Sequence, residues 1–297
     1  MLTQQNNRLL IIRSFLIFPG HIDRFFASAI KSHADAIAID LEDSVPLEHK
    51  NIARESICSK LDSLDNTGNI FVRVNGVKSG RIEEDIKYSM HKNLTGFIVP
   101  MVESCEDIKF VDKLISRFEN DNGIPNNTIS LFPLIEQSLA VLNALSIAQA
   151  SKRNIGLIFG HEDFLLDMHA PLITNHSNIN FARSTVVAAA RAINGIPIDT
   201  PYLDIKNMPG CAEHVSVGKS LGFSGMLTLH PSQVDIVNNG YTPTVKEASE
   251  AKEIVEQIQE SSKEGRSVSY VNGRFVAPPI LKRAQQVVHL YDEIMSK

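Results

Sequence analysis

The chain has 297 residues, of which 43% are hydrophobic, and a formal net charge of −5. That length holds one large α/β domain or two small ones, and the hydrophobic share is ample for a sizeable core. The acidic balance and the lack of any long basic run exclude a nucleic-acid partner, and no apolar run approaches the ~20 residues that span a bilayer.

At the N-terminus, Arg8 and Arg13 flank only four apolar residues and no small-residue cleavage site follows, so no secretory signal is read there. Apolar, β-rich runs then alternate with helical patterns. FLIFP (15–19) precedes an amphipathic helix over 23–32. AIAIDLED (36–43) precedes a helix that starts after Pro46, a residue suited to a first helical turn. IFVRVN (70–75) is followed by RIEEDIKYSM, and GFIVPMVES (96–104) by a helix over 106–117. LFPLIE (131–136) and IGLIFG (155–160) enclose a helix carrying Ala140, Leu142, Leu145 and Ile147. The polar loop 169–180 leads to Asn180, which is expected to cap the helix FARSTVVAAARAI. PIDTPYLD (197–204) and GMLTLHP (225–231) complete the strands. Eight apolar strands alternating with helices predict a (β/α)₈ TIM barrel over residues 1–243.

Residues 244–297 break the alternation. A solvated amphipathic helix, a hairpin signalled by Asn272-Gly273 and a last helix over 280–295 form a C-terminal helical and hairpin extension, a lid or subunit-swapped segment. Its continuous apolar stripe favours a homo-oligomer. Cys58, Cys105 and Cys211 are widely spaced without a CxxC pair, which fits a reducing cytoplasm and neither a disulfide framework nor a zinc site.

Polar residues gather at the expected strand C-termini, where active sites of this fold sit. Glu136 ends one strand and Asp163 follows the next, so two carboxylates can converge there. A lone strand-end acid often caps the following helix, but a pair on adjacent strands suits a hard cation such as Mg²⁺. The loop histidines 169 and 176 are read as solvated.

The stretches RSFLIFPG, ADAIAIDLEDSVP, FVRVNG, LIEQSLAVLN, GHEDF, ARSTVVAAARA, DTPYLDIKN and GFSGMLTLHPSQ run in order from Arg13 to beyond His230. Together they resemble the HpcH/HpaI aldolase and citrate lyase β-subunit superfamily, in its malyl- or citramalyl-CoA lyase branch. The resemblance implies that Glu136 and Asp163 hold Mg²⁺ and that Arg73 binds a carboxylate or carbonyl of the substrate, beside Glu136. It places Asp40, Glu42 and Asp43 around the metal's waters, with Arg73, Glu42 and Asp43 as catalytic candidates. Arg13 with the FPG loop is expected to bind the nucleotide part of CoA, and His230 to close the rim. The implied reaction is reversible carbon–carbon cleavage of a 3-hydroxyacyl thioester or a related 2-oxo acid, in a homotrimer or homohexamer.

Two positions depart from the resembled pattern. Ala277, in NGRFVAPP, stands where an aspartate serves as acid or base, and Met101 stands in place of a lysine. Losing a positioned acid or base lowers a rate by about 10²–10⁴. Two alternatives stay open, a CoA-independent 2-oxo-acid aldolase and a non-catalytic homologue that binds metal and ligand.

Overall fold

The structure, a computed structural model, describes residues 4–5, 8–64, 68–173, 177–263, 270–271 and 274–296. It divides into two compact units, Met1–Asn238 and Asn239–Lys297.

The first unit is a closed barrel of eight parallel strands. They are β1 (Ser14–Pro19), β2 (Ala36–Asp40), β3 (Asn69–Arg73), β4 (Gly96–Val99), β5 (Ser130–Ile135), β6 (Gly156–Phe159), β7 (Ile196–Asp199) and β8 (Gly225–Thr228). Each pairs with the next, and β8 closes onto β1 with Met226 opposite Ser14. Buried helices on the outside require strands that are apolar on both faces, and all residues of β2, β4 and β6 are buried.

Side chains alternate along a strand, so every second residue enters the barrel. Phe15, Phe71 and Phe132 meet edge to face inside it, at centroid separations of 4.9–5.7 Å. The rings fill the lower layer because β6 begins with glycine, where a Cβ would come within 2.4 Å of the Phe132 ring. Ile17, Ala38, Ile98, Leu134, Ile158 and Ile198 belong to the same apolar cluster. Continuing the alternation by two residues brings Asp40, Arg73 and Glu136 to the top of this interior, over a dry floor.

Outside the barrel lie α1 (Asp23–Ile30), α2 (Lys50–Glu55), α3 (Ile57–Asp62), α4 (Ile82–Ser89) and α5 (Cys105–Asp121). They are followed by α6 (Ser138–Leu142), α7 (Ala144–Ala148), α8 (His161–Asp167), α9 (Asn180–Ala192) and α10 (Met208–Leu221). Two expectations are corrected here. The helix expected between β5 and β6 is two short helices that part at Asn143, whose side-chain amide donates to the Glu103 carbonyl at 2.9 Å. Asn180 is the first residue of α9 rather than its cap; Ile179 precedes the helix and makes no side-chain capping bond. The strands also end sooner than the apolar runs do, as at β7, which stops at Asp199. Part of the loop 169–180, including His176, lies outside the described residues.

The division between the units falls inside α11 (Val234–Tyr241). The second unit goes on with α12 (Val245–Lys263) and α13 (Pro278–Met295), which pack together and are linked by Lys252 and Asp292 at 3.2 Å. Between them Tyr270–Val271 and Arg274–Phe275 pair antiparallel, with Val271 opposite Arg274. The expected Asn272-Gly273 turn itself lies outside the described residues. Among the described residues of α13, Ala284 alone is buried. No helix among the described residues is long and apolar enough to cross a membrane.

Below the barrel Arg153 holds Glu119 at 2.6 Å, both side chains being almost wholly buried. Glu119 in turn accepts from the amides of Asn127 and Ile129, fastening the turn that enters β5. Removing one partner of such a pair leaves a buried charge uncompensated. Arg153→Met is expected to lower unfolding stability by about 3–5 kcal/mol, read from the urea midpoint; a loss below about 1 kcal/mol would show that water replaces the arginine.

Candidate active site at the C-terminal rim of the barrel

Asp40 and Arg73 are register partners at the ends of β2 and β3. The guanidinium grips Asp40 with two parallel bonds, Nε to Oδ1 at 2.6 Å and Nη2 to Oδ2 at 2.7 Å. A planar fork matches a carboxylate in this way and a lysine cannot. Asp40 is fully buried and also accepts the amides of Glu42 and Ser44, each at 3.0 Å, and the Ser44 hydroxyl. Burial pushes its carboxyl up, but Arg73 and these donors outweigh burial and hold it below the usual range. Burial likewise opposes the charge on Arg73, and Asp40 and Glu42 more than restore it.

The loop after β2 is anchored from several sides. Lys50 Nζ donates to the carbonyls of Leu41 at 2.8 Å and Glu42 at 2.9 Å. Asn75, just past β3, donates to the Leu41 carbonyl and is itself held by Asp85, which is paired with Arg54. The anchored loop sets Glu42 against the free edge of Arg73, with Oε2 3.2 Å from Nη1.

Glu136 follows β5 directly and is buried. Its Oε1 accepts the Met101 amide at 2.7 Å. Met101 takes a left-handed backbone conformation, φ 53°, that non-glycine residues adopt at a cost. A Cβ on Gly160 would lie 2.9 Å from Glu136 Oε2, so the glycine after β6 gives this carboxylate its room. Asp163 is in the first turn of α8, which opens right after that glycine. The N-terminus of α8 is fixed by Thr200, whose hydroxyl accepts the His161 amide at 3.1 Å.

Burial raises Glu136 to about 8, and the charges of Glu42 and Asp163 push the same way. Glu42 is raised to about 7, by burial first and then, against the pull of Arg73, by Asp43, Asp40 and Asp163. Asp163 is raised by burial and by Asp43. Glu42, Asp43, Glu136 and Asp163 thus share one electrostatic site with the Asp40–Arg73 pair. Arg13 does not join them. It precedes β1, at the other end of the barrel, and clasps Asp35 through Nε at 2.7 Å and Nη2 at 2.8 Å. His230 stands at the rim as the cap of a short 3₁₀ turn, accepting the Ser232 amide at 3.2 Å.

Residues 13–231 match the HpcH/HpaI aldolase/citrate lyase family. The chain belongs to that family. Its relatives are lyases. The citrate lyase subunit beta of Leuconostoc mesenteroides subsp. cremoris is 31% identical over 94% of this chain and 92% of its own length. The mitochondrial citramalyl-CoA lyase of Homo sapiens is 28% identical, over 96% of this chain and 87% of its own. Among solved structures, CitE of Mycobacterium tuberculosis, in complex with magnesium, acetoacetate and coenzyme A, superimposes with a TM-score of 0.77. That likeness covers 95% of this chain and 98% of CitE at 23% identity, and it bears on the fold alone.

A carboxyl whose pKa is raised by folding binds its proton more tightly in the folded chain. For Glu136 and Glu42 that difference spans pH 4.5 to about 8 and 4.5 to about 7. Their contribution to stability is therefore complete below pH 4.5 and is lost as pH rises through these folded values. Glu136→Gln removes the larger shift. In EDTA, its Tm relative to the wild type is expected to climb from about pH 5 to about pH 9; a difference that stays level would mean Glu136 titrates normally.

Proposed function

We propose that this chain is a Mg²⁺-dependent carbon–carbon lyase acting on a 3-hydroxyacyl-CoA of the malyl- or citramalyl-CoA kind, or on a related 2-oxo acid. The observation that carries the proposal is Arg73, locked by a buried Asp40, beside two crowded carboxylates at the barrel rim.

The residues present fit the metal. Glu136 and Asp163 are hard oxygen donors whose charges repel each other, and a divalent cation relieves that repulsion. No group of three or more His, Cys, Asp and Glu among the described residues is placed to hold a metal. Two protein carboxylates, with substrate oxygens and water, are a usual set for Mg²⁺. Bound there, the ion supplies Lewis-acid stabilisation of negative charge developing on a carbonyl oxygen.

The remaining work falls to side chains. Arg73 presents Nη1 and the second hydrogen of Nη2 to a substrate carboxylate. Cleavage breaks the bond between the hydroxyl-bearing carbon and the thioester α-carbon. The hydroxyl proton leaves as the carbonyl forms, and the bonding pair passes to the α-carbon, which then takes up a proton. Glu42 and Asp43 are the ionisable neighbours of this position. Ala277, the residue before α13, has no proton to give. Its second unit is proposed to serve a neighbouring barrel in a homotrimer or homohexamer.

Titration calorimetry is expected to find one Mg²⁺ site that Glu136→Ala or Asp163→Ala abolishes. Unchanged affinity in both variants would remove the metal from this reading.

Cleavage of malyl-CoA or citramalyl-CoA by the wild type is expected to be slow. Ala277→Asp should raise it by roughly tenfold or more, with Mg²⁺ affinity unaltered, if a missing proton donor limits the rate. Turnover in the wild type that Ala277→Asp leaves unimproved would show that another group moves the proton. Light scattering on the same protein reads the assembly, and a clean monomer would count against a shared site.

A further inference from the structure

The charges at the rim do not balance. Two cations, Arg73 and Lys50, face Asp40 and Glu42, and Asp43, Glu136 and Asp163 lie close enough to feel Arg73. With its carboxylates ionised, the site keeps an excess of negative charge even when a divalent cation is added. An anionic substrate entering it meets repulsion unless one of these carboxylates withdraws.

Geometry singles out which. Asp40 is fully buried, holds one edge of the guanidinium through Nε at 2.6 Å and Nη2 at 2.7 Å, and is itself held by the Ser44 and Glu42 amides. Glu136 is tied to the Met101 amide. Glu42 makes a longer contact with Arg73, 3.2 Å from Nη1, on the side that faces away from Asp40. Its side chain is 13% exposed, whereas that of Asp40 is 0% exposed. The backbone of Glu42 is meanwhile fixed at both ends. Its amide donates to Asp40, and its carbonyl accepts from Lys50 at 2.9 Å and Val45 at 3.0 Å. The side chain can thus swing off Arg73 by its own torsions while the loop stays in place.

We infer that Glu42 is an internal stand-in for the substrate's carboxylate: it occupies the open edge of Arg73, an anionic substrate displaces it, and its competition sets the affinity for such substrates. The inference rests on the reading of Arg73 as the anion-binding group. It gives Glu42 a role opposite to that of a residue that helps to bind. A group that held a substrate, a metal water or a proton would weaken binding when neutralised. A competitor strengthens it.

Glu42→Gln keeps the size of the side chain and removes its charge. With the full-length protein at saturating Mg²⁺, calorimetry is expected to show pyruvate binding roughly fivefold tighter in Glu42→Gln, the scale of a partly exposed ion pair released for use. Glu42→Ala, which empties the position, should show the same gain. Pyruvamide, the neutral analogue, should show none. Unchanged or weaker pyruvate binding in both variants, with the wild type binding normally, overturns the inference and leaves the lyase reading standing. An equal gain for pyruvamide also overturns it, since space rather than charge would then be at issue. Pyruvate that binds neither the wild type nor the variants overturns both.

Discussion

The rim is organised around the clasp of Arg73 by Asp40. Taking two charges out of water carries a penalty of several kcal/mol per ion, which mutual attraction repays only in good geometry with the leftover lone pairs satisfied. Both conditions hold here. The bonds run fork to fork, and Ser44 and the Glu42 amide occupy the remaining lone pairs of Asp40. One consequence reaches beyond the pair. The Glu42 amide that caps Asp40 belongs to the loop carrying Glu42 and Asp43, so folding of the ion pair and placement of the acidic loop are one event.

What surrounds the clasp is unfavourable by itself. Glu42, Glu136 and Asp163 all stand above their ordinary pKa values because they are buried near one another. Met101 adds backbone strain in giving its amide to Glu136. Such local costs are tolerated where the scaffold beneath is strong, and the interlocked phenylalanines and buried strands supply that strength. The site is poised to gain from whatever cation and anion it takes up.

Much of this was legible in the sequence, for a physical reason. A parallel sheet buried on both faces leaves continuous apolar runs, and a run that ends in a charge marks where the strand leaves the barrel. Asp40, Arg73 and Glu136 each show that ending. The eight strands and their order followed from it, as did the places of Asp40, Arg73 and Glu136 at the rim. The rest was hidden because it depends on distance in space rather than along the chain. The Met101 amide reaches Glu136 through a left-handed turn that no methionine announces. The ammonium of Lys50 lies on two loop carbonyls that its place along the chain does not announce. Arg13 misled through its neighbours: it adjoins the FPG run, yet it stands at the start of β1 while that run ends at the rim, a strand's length away. Asn143 could not be seen to divide a helix because its partner, the Glu103 carbonyl, comes from the preceding loop.

Ala277 matters in a second way. It occupies the N-cap of α13, with extended backbone and no side-chain bond to the first turn, and Pro278 and Pro279 alone prepare that turn by fixing their torsions. Aspartate is among the best residues for this position and alanine among the poorest, a difference of about 1 kcal/mol in helix stability. Alanine here therefore withholds an anchor for the terminal helix as well as a titratable group. Asparagine caps a helix as well as aspartate does and transfers no proton. Ala277→Asn thus separates a firmer helix from a restored acid, two effects that a single carboxylate would otherwise deliver together.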